Sequence, residues 1–216
     1  QELTKLRNKF GSFSDIILFF SDSKNFRKTI YPDYKGHRNR KKPCGYKRVV
    51  NKLKTEFETI IMPELEADDS LGIYATQHPG NIIVSPDKDM KQIPGKLYNL
   101  DETFTVSKED GARWHLIQSV SGDQTDGYGG VPGIGVKRAE TLFNKEGYTW
   151  KAVVNAFKAK DLTETNALLN ARLARILTVN DYDFDRRKPK LWSPSADYRI
   201  DNRTGLQNET VGNIIT

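Results

Sequence analysis

At 216 residues, with 37% hydrophobic and 29% charged residues, the chain has the size and composition of a globular protein that buries a substantial core, as one domain or a domain with an attached module. A single cysteine, Cys44, excludes an intrachain disulfide and a multi-cysteine zinc cage and suits a reducing, cytoplasmic compartment, while no apolar run approaches the roughly 20 residues that span a bilayer. The net charge of +6 is concentrated: nine cations and no acid fall within residues 35–54, which marks a localised anion-binding feature or a solvated basic loop.

Residues 1–13 are polar and read as the end of a helix or a frayed lead-in. The continuous apolar run Asp15-Ile16-Ile17-Leu18-Phe19-Phe20 predicts a strand buried on both faces, as in a parallel sheet, with Asp22 just past its carboxyl end. Ligand-binding residues of open α/β sheets gather at that edge, although Asp22 also suits an N-cap or a turn. From Phe26 to Arg38 aromatic residues interleave with cations, and a basic amphipathic segment continues to about Phe57. Such cations neutralise phosphates, and tyrosine faces stack on unpaired bases at roughly 1–3 kcal/mol per base. His37 in this loop suits a phosphate contact better than a general base.

Thr59–Met62 predicts a second strand, and Glu66, Asp68 and Asp69 open a helix running to about Gln77. One or two acids in a first turn only complement the helix dipole, whereas three within four residues after a buried strand suggest a site. Asn81–Ser85 repeats the pattern as a strand, and Asp87 and Asp89 beyond it, being alternate residues, are expected to share a side. Extended pieces at Leu97–Leu100 and Phe104–Val106 precede a helix from about Lys108 to Ser119, with Trp114 and Leu116 in its core face.

The stretch Gly122–Ala139 joins two devices. Asp123 and Asp126 stand three apart, so their carboxylates project from one face if a helix begins here. The following Gly-Gly-Val-Pro-Gly-Ile-Gly-Val is too rich in glycine and proline to continue a helix. A helix over Val136–Phe143 then carries Lys137 and Arg138 in its first turn, where they oppose the macrodipole. A glycine hairpin opening into such a helix is a phosphate cradle, although Asp126-Gly127 and Pro132-Gly133 are also ordinary turn dipeptides. Amphipathic helices at Trp150–Lys158 and Glu164–Leu177 follow, then a polar, turn-rich stretch in which Leu191-Trp192 packs back on the body.

The Gly-Asp-x-x-Asp and Gly-x-Pro-Gly-x-Gly strings resemble the helix–three-turn–helix of the 5′-nuclease (flap endonuclease) superfamily. Tyr-Pro-Asp-Tyr-Lys-Gly-His-Arg at 31–38, Glu-x-Asp-Asp at 66–69 and Ser-x-Asp-x-Asp at 85–89 are similar to its arch entry and its metal-ligand motifs. Asp-Ser-x-Asn-x-Arg-Lys at 22–28, Lys-Lys-Pro-x-Gly-Tyr at 41–46 and Leu-Trp-x-Pro at 191–194 look like the small 5′→3′ exonucleases of tailed phages. The match is collinear from about Asp15 to Pro194.

This resemblance implies an α/β fold: a PIN-like (Rossmann-like), mostly parallel sheet with flanking helices over 1–110, a basic helical arch at 31–57, a DNA-binding region at 111–180, and a return segment at 181–216. It implies a metal-dependent nuclease acting on DNA with a free 5′ end, on flapped DNA or on RNA–DNA hybrids, as a monomer, with replication proteins as candidate partners. The implied metal ligands are Asp22, Glu66, Asp68, Asp69, Asp87, Asp89, Asp123 and Asp126. Lys35 and Arg38 are the implied catalytic cations facing the scissile phosphate. Tyr34, Arg40, Lys41 and Lys42 of the arch, with Gly133, Ile134, Gly135, Lys137 and Arg138 of the hairpin, are the implied DNA contacts, and the hairpin carbonyls an implied K⁺ seat.

Packing so many carboxylates together requires cations, since one pair at 4 Å costs about 4 kcal/mol at an effective dielectric of 20. Oxygen-only ligands select Mg²⁺ or Mn²⁺ over Zn²⁺, and two such ions about 4 Å apart would clamp the attacking and leaving oxygens of an in-line displacement. The family also has a first strand ending in another metal-binding Asp; no such strand is readable before Asp15, and with Gln1 at its start the chain is expected to be a fragment. Two alternatives stand beside the nuclease: a DNA-binding module of the same fold without chemistry, and a PIN-type ribonuclease, which the glycine hairpin disfavours.

Overall fold

The structure is a computed structural model and describes residues 2–10, 15–38 and 42–195. Two compact units are formed: residues 1–107 with Ile176–Lys190, and Lys108–Arg175 with the described residues from Leu191. The chain passes from the first unit to the second after Ser107, and its C-terminal stretch is divided between the two.

In the first unit, helix α1 (Glu2–Phe10) is followed by strand β1 (Ile17–Phe19), the short helix α2 (Phe26–Ile30), the basic helix α3 (Tyr46–Glu56) and strand β2 (Glu58–Ile60). Helix α4 (Ala67–Gln77), strand β3 (Ile82–Val84), a 3₁₀ turn at Lys88–Gln92, and strands β4 (Gly95–Tyr98) and β5 (Thr103–Val106) complete it up to Ser107. β1 and β2 pair in parallel, Leu18 opposite Thr59. β3 and β4 also pair in parallel, and β5 adds an antiparallel edge. The parallel pairs match the sequence expectation, but the β1 residues are each half-buried rather than enclosed on both faces.

Two apolar clusters hold this unit. Ile83, Met90, Ile93, Leu97 and Val106 pack with Ile176, and Phe26, Leu65 and Ile73 pack with Leu177 and Tyr182. Gly72 of α4 lies where a Cβ would stand 2.4 Å from the Leu177 carbonyl oxygen, so the returning chain is pressed directly against the helix backbone.

The second unit contains α5 (Lys108–Ser121), the two-residue strands β6 (Gly122–Asp123) and β7 (Tyr128–Gly129), and helices α6 (Val136–Glu146), α7 (Trp150–Lys158) and α8 (Glu164–Ala174). Its core gathers Val120, Phe143, Trp150, Val153 and Phe157 with Ala167 and Ala171. Trp192 packs back as expected, its ring 5.2 Å from Trp150 and 5.1 Å from His115. α8 stops three residues short of the expected Leu177. Beyond it, in the first unit, the N–H groups of Ile176 and Leu177 donate to the side chains of Gln92 and Asp69, so tertiary acceptors replace a helical ladder. The strands β8 (Tyr182–Asp183) and β9 (Lys188–Pro189) then form a hairpin.

No helix begins at Gly122, which corrects the expectation that Asp123 and Asp126 share a helix face. Gly122 has φ +66, and a Cβ on it would stand 2.1 Å from the Gly130 nitrogen; a Cβ on Gly130 would stand 2.1 Å from the Val120 carbonyl oxygen. Two glycines therefore let the backbones touch, and the segment closes as the β6–β7 hairpin with Val131 N–H donating to Val120 C=O at 2.7 Å. Gly122→Ala and Gly130→Ala are each expected to cost about 2 kcal/mol or more in urea unfolding, whereas Gly129→Ala, with open space at its Cβ, stays within about 0.5 kcal/mol of wild type.

Candidate active site

One buried ion pair positions Asp69 and Glu66 in the first unit. Asn25 caps α2 by accepting the Arg27 N–H, and this turns the Arg27 side chain inward, where it is 1% exposed. Its guanidinium donates to both oxygens of Asp69, at 2.6 and 2.8 Å, and Asp69 is itself fully buried. Asp69 also accepts the N–H of Leu177 at 3.2 Å and, across the capping box of α4, the N–H of Glu66 at 3.4 Å. With both oxygens engaged by protein groups, Asp69 anchors the site. Arg27 is the residue that the sequence reading overlooked. It lies within the Asp-Ser-x-Asn-x-Arg-Lys string, but nothing in the local pattern distinguishes an inward arginine from a solvated one.

Around that anchor the remaining carboxylates divide by partner. Glu66 Oε1 accepts from Lys35 Nζ at 2.5 Å, and Oε2 accepts from the Tyr34 hydroxyl at 2.9 Å and from Arg27 at 3.4 Å. Burial alone would push the Glu66 carboxyl up, but Arg27, Lys35 and these hydrogen bonds bring it below its ordinary value. Tyr34 is 1% exposed. Its ring is enclosed and its hydroxyl serves Glu66, so the expectation that Tyr34 faces DNA is corrected. Asp22 accepts the N–H groups of Ser23 at 2.6 Å and Glu64 at 2.9 Å, and those two bonds, the Glu64 one foremost, lower its carboxyl.

Asp68 has a different setting. Burial first, then the like charges of Asp87, Asp69 and Glu66, push its carboxyl up to about 7, with Lys35 opposing. Asp87 and Asp89 do not alternate along an extended strand end. Asp87 Oδ1 caps the 3₁₀ turn by accepting the Asp89 N–H at 2.9 Å, so Asp89 enters that turn and is half-buried while Asp87 is exposed.

Lys35 takes φ 55, a left-handed conformation uncommon for a residue with a side chain. Arg38 and Lys42 are exposed, with Lys42 Nζ 4.6 Å from the Tyr46 ring centre; Arg40 and Lys41 lie outside the described residues. In the second unit, Asp123 Oδ1 accepts the N–H groups of Thr125 at 2.7 Å and Asp126 at 3.3 Å, together with the Thr125 hydroxyl, and Asp126 is half-buried. Gly133 has φ +80, Ile134 is partly buried against the core, and Gly135 caps α6 without a side-chain acceptor. Lys137 is exposed, and Arg138 bends back to donate to the Gly133 carbonyl at 2.6 Å.

Among the described residues no group of three or more His, Cys, Asp or Glu side chains stands in metal-holding geometry. The donor chemistry nevertheless suits a hard divalent ion. Asp68 and Asp87 are oxygen donors under mutual repulsion, and Glu66 is matched to cations already.

Two measurements test these assignments. Arg27→Met leaves Asp69 buried and unpaired, so it is expected to cost about 3–5 kcal/mol in chemical denaturation, and the double variant Arg27→Met/Asp69→Leu to recover much of the loss. The folded Asp68 binds a proton up to about pH 7 that the unfolded chain releases near 3.8, so this group's contribution to stability falls as pH rises between those values. Asp68→Asn in EDTA is therefore expected to melt above wild type at pH 8, by about 1–3 kcal/mol after allowing for solvent screening, and to match it at pH 4.

The chain was compared with known proteins. The family model described as 5′-3′ exonuclease, N-terminal resolvase-like domain, matches residues 1–113. The exodeoxyribonuclease of enterobacteria phage T3 is 30% identical over 232 aligned residues, which takes in 88% of this chain and 77% of that protein. The exonuclease of Escherichia phage T7 is 30% identical over 230 residues, with 87% and 77% covered. In fold, the bacteriophage T5 D15 flap endonuclease, solved in a complex with DNA and metal ions, superposes with a TM-score of 0.62 at 18% identity, over 80% of this chain and 78% of that one. The chain thus belongs to the 5′-3′ exonuclease family and is a nuclease.

Proposed function

We propose that this nuclease hydrolyses phosphodiester bonds from the 5′ ends of duplex or flapped DNA and of RNA–DNA hybrids, using Mg²⁺, with Mn²⁺ as a substitute. The observation that carries the reading is the raised proton affinity of Asp68 among Asp87, Asp69 and Glu66. A carboxylate whose ionisation is opposed by burial and by neighbouring acids is one that a divalent cation would relieve. Asp68, Asp87 and Glu66 would hold such ions, with Asp22 and Asp89 beside them. On the second unit, Asp123 and Asp126 are proposed as ligands. When bound, the ions supply Lewis-acid polarisation of phosphoryl oxygens.

The chain's own cations supply the remaining charge. Lys35, whose Nζ donates to Glu66, would neutralise a phosphate oxygen, and the exposed Arg38 would meet the same group. Because no side chain caps α6, the first-turn N–H groups of Val136, Lys137 and Arg138 remain available to a phosphodiester, assisted by the Lys137 charge. A K⁺ at the hairpin carbonyls would compete with Arg138 for the Gly133 oxygen. The phage exonucleases, and the T5 flap endonuclease solved with DNA and metal ions, support the substrate class.

The experiment follows strands labelled at the 5′ end. Short products are expected with Mg²⁺ and none in EDTA, with kcat lowered about 100-fold or more in Asp68→Asn and Asp87→Asn and more modestly in Lys35→Ala. Equal cleavage in EDTA overturns the metal assignment, and cutting confined to single-stranded RNA overturns the DNA assignment.

A further inference from the structure

The β8–β9 hairpin carries a surface that the residues assigned above leave unused. Phe184, at its tip, is 46% exposed and touches the buried Tyr182 ring edge-on at 5.1 Å, so one part of the ring is fixed and the rest faces solvent. Arg186, Arg187, Lys188 and Lys190 follow it and are all exposed, Arg186 with its side chain 84% accessible. Two acids share the tip. Asp183 is occupied locally, since Oδ1 accepts the Arg186 N–H at 2.9 Å and Oδ2 stands 3.9 Å from Arg186 Nε. Asp185 is exposed, and the four cations outnumber the two acids.

The backbone adds an independent observation. Arg187 has φ 54, at a hairpin position where glycine or asparagine is unstrained and an arginine is not. The strain accompanies a charged side chain held at the tip beside an exposed ring.

We propose that this tip is a binding site for single-stranded nucleic acid, with Phe184 as a stacking face and Arg186, Arg187, Lys188 and Lys190 as phosphate contacts. Cations answer the charge of any polyanion, but a half-fixed, half-open aromatic ring selects one with unstacked planar bases. A duplex, whose bases already stack on one another, has no use for the ring. The inference rests on the nuclease reading, because it supplies a second grip on the same class of substrate.

The test uses the full chain in EDTA, with anisotropy of a fluorescent oligo-dT of about 15 nucleotides. Phe184→Ala is expected to raise Kd about tenfold, as loss of one stacked base does. Arg187→Gly is expected to raise Kd severalfold and to flatten the slope of log Kd against log salt by about 0.7, while its thermal midpoint stays equal or rises. Binding of a blunt duplex is expected to be unchanged in Phe184→Ala. Wild-type affinity for oligo-dT in both variants overturns the proposal, as does a lowered midpoint in Arg187→Gly, which would make the arginine structural. In either case a wild-type chain that still cuts with Mg²⁺ leaves the nuclease reading standing. If the wild type neither binds oligo-dT nor cuts, both readings fall.

Discussion

The first unit depends on the pairing of Arg27 with Asp69. A buried guanidinium alone would be strongly unfavourable, and so would a buried carboxylate; each is tolerated because the other is present in bidentate geometry. The pair also has reach beyond its own charge. One Asp69 oxygen takes the N–H of Leu177 and the other meets the start of α4, so a single side chain joins α2, α4 and the returning segment. Such a pair adds little net stability compared with a well-packed apolar alternative. What it adds is position: Glu66 and Asp68 flank a rigid point.

That rigidity explains the uneven electrostatics. Glu66 lies on the cationic side, within reach of Arg27, Lys35 and the Tyr34 hydroxyl, and stays ionised. Asp68, two residues along the same helical start, is pushed up to about 7 by burial and by the other acids. Adjacent carboxylates with opposite proton affinities arise without any difference in residue chemistry, from which way each side chain points out of one turn. The proposed use of hard cations fits this divergence, because a site already neutralised by arginine and lysine would have no charge to offer them.

Much of this was legible beforehand. The apolar runs located β1 and β3, because strand ends and helix starts are marked by local residue choice, and of the acids that the strand-then-acid rhythm picked out, Glu66, Asp68 and Asp87 stand close enough to act on one another's charge. The misplacements have a common origin in tertiary structure. Tyr34 reads as a surface aromatic among cations, yet its ring is buried and its hydroxyl finds a half-buried acceptor in Glu66. Arg27 reads as one more basic residue, yet its partner lies 42 positions away. Asp123 and Asp126 have helical spacing, but Gly122 and Gly130 bring two backbones together and turn the segment into a hairpin. Spacing along the chain reports what neighbours can do; it does not report which distant group is close enough to change their course.

The division of the C-terminal stretch has a consequence for biosynthesis. Ile176, Leu177 and Tyr182 complete the apolar clusters of the first unit, yet the ribosome makes them only after all of Lys108–Arg175. While the nascent chain grows, Asp69 lacks the Leu177 amide and the α4 backbone at Gly72 lies uncovered. Both units therefore wait for the end of the chain: the first lacks Ile176, Leu177 and Tyr182, and the second lacks Trp192, until residues beyond Arg175 have emerged.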